Sequence, residues 1–113
     1  MVESKFKEGD TAFVVWNYRG RICKDYVRIR RADPIIDGEV FEYILEDPDS
    51  REVWLGAFSE NELHPDQQSA DMAEVMMNIE LAKKRRDDTK RKLARAEKRI
   101  DMFEKKLKEL TRE

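Results

Sequence analysis

The chain has 113 residues, of which 42% are charged and 40% hydrophobic, with a formal net charge of −2 and a mean hydropathy of −0.84. That length holds one small globular domain plus an extended element, and the mixture is too apolar for plain disorder and too charged for one full-length core. No apolar run approaches the roughly 18–20 residues a membrane helix needs, which excludes a membrane partner of that kind.

The opening MVESKFKEGD has no apolar stretch of the secretory-signal type, and Cys23 is the one cysteine, so no internal disulfide forms. Both features lead to the expectation of a cytoplasmic protein. The two ends differ in character. Nine of the ten aromatic residues lie between Phe6 and Phe58, and every glycine and proline precedes residue 66. Residues 1–66 carry 9 basic and 15 acidic side chains, a net of −6; residues 67–113 carry 14 and 10, a net of +4. The overall −2 conceals a polarised molecule, and the natural division gives domains 1–66 and 67–113.

In chain order, the Gly9-Asp10 pair marks a turn and Ala12–Trp16 (AFVVW) is β-rich. Asn17–Gly20 (NYRG) reverses the chain into Arg21–Arg31, where Val27 and Ile29 alternate with Arg28 and Arg30. ADPIIDG predicts another reversal, Glu39–Asp47 (EVFEYILED) a third strand, and Pro48–Ser50 a tight turn into Arg51–Leu55 (REVWL) as a fourth. AFSENELHP predicts a 3₁₀ turn around Ser59–Glu62 and a short extended end. Four to five short antiparallel strands in so few residues predict a small SH3-like β-barrel, whose closure limits exposed strand edges.

The series F-x-x-G-D-x-A-F-V-V, G-R-I, E-Y-I-L-E-D and A-F-S-E-N-E-L-H-P, over about residues 6–65, resembles small SH3-like-barrel proteins of bacteria and their phages. Tudor and KOW-type barrels share the outline. The resemblance implies a binding or regulatory module and brings no active-site residue with it. Trp16, Tyr18, Tyr43 and Trp54 are candidates for an aromatic surface, either a cage for a cationic group or a base-stacking platform. The competing reading is that a barrel this small needs large side chains to fill it. Tyr18, in a turn beside Arg19 and Arg21, is the better surface candidate.

From Met72 the apolar spacing becomes strictly heptad. Position a takes Met72, Ile79, Arg86, Leu93, Ile100 and Leu107; position d takes Val75, Ala82, Thr89, Ala96, Phe103 and Leu110. Ten of these twelve positions are hydrophobic, and no Gly or Pro interrupts the segment. Ser69 offers an N-cap, with Asp71 in the first turn. One helix with so narrow a stripe requires a partner, and the simplest is a second copy. Basic g positions (Arg85, Lys92, Arg99, Lys106) facing acidic e positions (Glu97, Glu104) favour a parallel homodimer, although Arg85 meets Lys90 unfavourably. A hairpin bending near Arg86–Thr89 is the alternative. Met76, Met77 and Leu81 widen the apolar surface at the start of the helix, which predicts docking of residues 70–82 on the barrel or the dimer mate.

The run from Lys83 to Arg99 holds ten basic and three acidic residues, a net of +7. Lys83, Lys84, Arg85, Arg86, Lys90, Arg91, Lys92 and Arg95 are candidate phosphate contacts for DNA or RNA. Their spread around the helix equally describes the solvated surface of a coiled coil. Catalytic signals are weak. His64 and Cys23 form the one Cys/His combination, and neither zinc-ligand spacing nor a glycine-rich phosphate loop is present. Glu46–Glu52 (EDPDSRE) lacks the glycine and spacing of a calcium loop and reads as a charged turn. The expectation is a non-enzymatic α+β interaction protein without a cofactor. It is a regulator or inhibitor acting on another protein, and the alternative is nucleic-acid binding through 83–99.

Overall fold

The computed structural model describes residues 3–35 and 40–112. The elements are β1 (Thr11–Tyr18), β2 (Arg21–Ile35), β3 (Val40–Glu46), β4 (Phe58–Ser59), a 3₁₀ turn (Glu60–Glu62), β5 (Leu63–His64) and α1 (Gln67–Thr111). The protein is α+β, with one antiparallel sheet in the order β4-β3-β2-β1-β5 and one long C-terminal helix. Packing divides it into two units, Met1–Asn78 and Ile79–Glu113.

β1 and β2 form a hairpin through Arg19 and Gly20, both at positive φ (51° and 83°). That pair of angles matches the primed turn whose twist suits a two-residue hairpin. The Asn17 side-chain oxygen accepts from the Gly20 N–H at 2.9 Å and holds the turn. Alternation then sets the inner face. Ala12 and Val14 from β1, Val27 and Ile29 from β2, Tyr43 and Leu45 from β3, and Leu63 from β5 are all buried, joined by Phe6 and Phe58.

The register between β2 and β3 shifts between Ile29 and Arg31, where one extra residue on β2 makes a bulge. The bulge changes which residues point inward: Ile29 faces Leu45 and Ala32 faces Tyr43, so both sides of the irregularity supply the core. β2 continues past the expected end at Arg31 through Ala32, Asp33, Pro34 and Ile35. The first half of ADPIIDG is therefore strand, and residues 36–39, with the expected reversal, lie outside the described residues. Pro34 pairs opposite Phe41 near the strand end, a position where the missing N–H costs little.

The expected strand Arg51–Leu55 does not form. Arg51 sits in the left-handed region at φ 60°, and among the described residues only one isolated bridge, Val53 to Glu46, and the Trp54 N–H to Leu45 oxygen bond tie the segment to β3. Trp54 turns its ring onto the core and Leu55 is 97% exposed, so tertiary contacts override the β propensity of the string.

β4 and β5 occupy opposite ends of the sheet order yet are joined by the three residues of the 3₁₀ turn. A flat five-stranded sheet would separate its edges by about 19 Å, while three 3₁₀ residues span about 6 Å, so the sheet must curl. The turn matches the expectation for Ser59–Glu62, and Glu62 accepts from the Ser59 N–H at 3.0 Å in a capping box.

α1 begins earlier than expected. Asp66, not Ser69, is its cap: the Asp66 carboxylate accepts from the Ser69 N–H at 2.8 Å, and the Ala70 N–H reaches the Asp66 carbonyl. The hydrogen bonds from Ser69, its backbone N–H first, hold the Asp66 carboxyl below its ordinary range. At 1.5 Å per residue its 45 residues extend about 68 Å. Ala70 is fully buried, and Lys24 on β2 donates to Asp71 at 2.5 Å and approaches Glu74 at 3.5 Å, so the first turns of α1 belong to the packed first unit. No helix among the described residues is long and apolar enough to cross a membrane.

Candidate interaction surface

All the expected seam residues lie on α1, and none of them is buried. Met72, Val75, Ile79, Leu93, Ile100, Phe103, Leu107 and Leu110 are 48–75% exposed, and Ala82 and Ala96 are exposed as well. Within the first unit, the covered positions of the helix centre on Ala70, Ala73, Glu74 and Met77, flanked by the partly covered Ser69 and Asp71, on a different face from Met72, Val75 and Met76. The latter three, with Asp71, line a shallow apolar cleft of about 360 Å³. The same helix therefore has one face packed in the domain and another left open. Of the region 70–82 expected to dock, cover within the first unit reaches only as far as Met77, and Met76, expected to widen the docking surface, is 63% exposed. The seam residues stay available.

The two polar positions in the seam have different local chemistry. The Thr89 hydroxyl donates to the Arg85 carbonyl at 2.9 Å, so its hydrogen bond is met within the helix and its methyl remains apolar surface. Arg86 pairs with Asp87 at 3.4 Å. No turn divides the helix at 86–89, which removes the hairpin alternative.

Lys83, Lys84, Arg85, Arg86, Lys90, Arg91, Lys92 and Arg95 are exposed around α1. Lys83 approaches Glu80 at 3.8 Å and Arg91 approaches Asp88 at 3.6 Å, one turn away in each case. Such contacts keep a highly charged helix soluble and add little stability individually.

The four candidate aromatics do not converge. Tyr43 is wholly buried, its hydroxyl donating to Glu60 at 3.0 Å, and burial raises its pKa. Trp16 and Trp54 pack edge-to-face at 5.2 Å, and both meet Phe58, at 6.1 and 5.9 Å, on the rim of the core. Edge-to-face rings fill one another's faces and leave no cage among them. Tyr18 is 57% exposed, but the Arg19 guanidinium already lies 5.3 Å from its ring centre.

Cys23 pairs with Trp16 and His64 with Phe13, on opposite sides of β1, so the two stand two strands and three positions apart. At the usual sheet spacings that separates them by more than about 10 Å, too far for a dyad. Burial and the neighbouring Lys5 charge lower the His64 pKa. The charged turn at 47–50 is held by Asp47, whose carboxylate accepts from the N–H groups of Asp49 and Ser50, both at 2.9 Å, and is held below its ordinary range by them. Among the described residues no group of three or more His, Cys, Asp or Glu side chains is arranged to hold a metal ion.

Simple alternation missed one cluster, formed by Arg28, Arg30, Arg31 and Arg51. Extended along β2 it places Arg31 inward, and only the bulge turns Arg31 to the side of Arg28. The string R-I-R-R was the available signal. Compared with protein-family models, curated proteins and solved structures, the chain gives no match.

Proposed function

We propose that this chain is a non-enzymatic interaction protein in which α1 pairs with α1 of a second copy as a parallel coiled coil, presenting two SH3-like barrels to another protein. The observation that carries the reading is the seam: ten apolar heptad positions on one unbroken helix, all exposed, the eight large side chains by 48–75%. An isolated helix gains nothing by exposing such a stripe, and pairing two of them buries it. In the parallel arrangement Lys92 meets the second copy's Glu97 and Arg99 its Glu104. The curl required by the three-residue link between β4 and β5 supports the SH3-like reading of the sheet. Two identical domains on one stalk engage a partner with avidity. The resemblance to bacterial and phage barrels, Tudor and KOW types among the same outline, extends the reading to a cytoplasmic regulator or inhibitor of a host protein.

Sedimentation velocity of the full chain, alone and with a labelled DNA duplex at two salt concentrations, tests it. A dimer that leaves the duplex free is the expected result. A monomer at all concentrations overturns the scaffold. Co-sedimentation that salt abolishes would move the exposed basic residues of 83–99 from surface to site, and nucleic acid would become the ligand.

A further inference from the structure

Within the first unit, Glu8, Arg28, Arg30, Arg31, Glu46 and Arg51 line an open cleft of about 440 Å³. Residues 1–66 carry a net charge of −6, yet four of their nine basic side chains meet here. This concentration runs against the sign of the domain, so it is not the edge of a generally basic surface.

Two backbone irregularities assemble it. The bulge between Ile29 and Arg31 sets Arg31 on the outer side with Arg28, and Arg30 is the inserted residue beside them. Arg51 reaches the cleft from the 47–52 turn while held at φ 60°, a conformation that a long side chain adopts at a cost. The turn is closed by the Arg51 N–H to Asp47 and the Asp47 N–H to Glu52, at 3.0 and 2.8 Å.

The guanidinium groups are incompletely satisfied by the protein. The Arg28 Nε–H is buried without a hydrogen-bond partner among the described residues; Glu46, its cross-strand neighbour, stands 3.9 Å away. Arg31 pairs with Asp33 at 2.8 Å, whereas Arg30 and Arg51 make no side-chain ion pair among the described residues. An uncommitted buried donor is costly, and an oxyanion relieves that cost.

We infer that this cleft binds a phosphate group carrying two negative charges, or two adjacent phosphates carrying one each. Four arginines against two glutamates leave a net of +2 in the cleft. Guanidinium forks match phosphate oxygens two at a time, which a cluster of lysines would not do. The open side leaves room for whatever bears the phosphate. Free pyrophosphate and the backbone of a nucleic acid offer this chemistry in different forms.

Isothermal titration of the full chain with sodium pyrophosphate, and separately with a short oligonucleotide at about 50 and about 200 mM salt, is the test. Arg30→Gln and Arg51→Gln, each alone, lie outside the core and keep the fold, which near-ultraviolet circular dichroism verifies. Lys105→Gln with Lys108→Gln on α1, exposed positions outside the seam, its charged flanks and the 83–99 run, is the control. The expected result is one site per chain, weakened at least about tenfold by each arginine variant and unchanged by the control. Pyrophosphate binding with that pattern assigns a free ligand, and oligonucleotide binding alone with that pattern assigns a nucleic-acid backbone. Absence of binding by both probes at millimolar concentration overturns the site, as does binding that the control weakens as much as the arginine variants.

Discussion

The Tyr43 hydroxyl, at the centre of the core, donates to the Glu60 carboxylate at 3.0 Å, and the same carboxylate oxygen accepts from the Lys5 N–H at 2.8 Å. The Phe6 N–H also points at the Tyr43 oxygen, at 3.4 Å, while the two rings meet edge-to-face at 5.9 Å. One buried phenol thus connects β3, the 3₁₀ turn and the segment preceding β1. Tyr43→Phe keeps the ring and removes the bridge, leaving a buried N–H without its acceptor. The expected loss is about 1–3 kcal/mol, read as a lower urea midpoint at unchanged slope.

The same residue sets an alkaline limit. Burial raises the Tyr43 pKa above its ordinary value, so the unfolded chain releases this proton first. Stability from this group is complete below about pH 10 and declines as pH rises through the folded pKa. Tyr43→Phe should flatten that decline in urea titrations taken across the alkaline range.

His64 acts at the other end of the pH scale. Its Nε2 is buried without a partner among the described residues, and burial together with Lys5 lowers its pKa. The folded state then binds fewer protons than the unfolded state. Stability is complete above the ordinary histidine value and falls as pH drops from about 6.5 toward the folded pKa. Because the chain has one histidine, its ring proton resonance titrates without ambiguity, and a midpoint above 6.5 would contradict the assignment.

Asp66→Ala removes the cap of α1 and should lower the melting temperature more than Ser69→Ala, since the Asp66 side chain, not that of Ser69, accepts the backbone N–H bond. Lowered by that bond, the Asp66 carboxyl gives its full contribution above about pH 3.8 and loses it as pH falls further. Equal losses in the two variants would return the cap to Ser69.

The seam predicts a chain direction as well as a partner. Leu110→Cys in a Cys23→Ser background places the single thiol at a d position near the end of α1. In a parallel pair the two thiols face each other and oxidation yields a covalent dimer on a non-reducing gel. An antiparallel pair separates them by most of the helix length and stays uncrosslinked. Leu93→Glu with Ile100→Glu should return the full chain to monomer.

Which parts of this protein were legible in its sequence follows from the range of the interactions that decide them. The helix of 67–111 and its heptad seam rest on contacts three and four residues apart, so spacing alone reveals them. The β1–β2 hairpin rests on a two-residue turn, and the 3₁₀ element on a capping box, both local. The length of β2, the failure of Arg51–Leu55 to become a strand and the gathering of four arginines were decided elsewhere. The length of β2 and the arginine cluster depend on how β2 registers against β3, where a one-residue bulge changes which side chains face the core. The 51–55 segment depends on the left-handed Arg51 and on Trp54 packing against that core. Tyr43 and Trp54 show the same division: both are aromatic residues of β-rich strings, but only packing sends one to the centre of the core and the other to its rim beside Trp16.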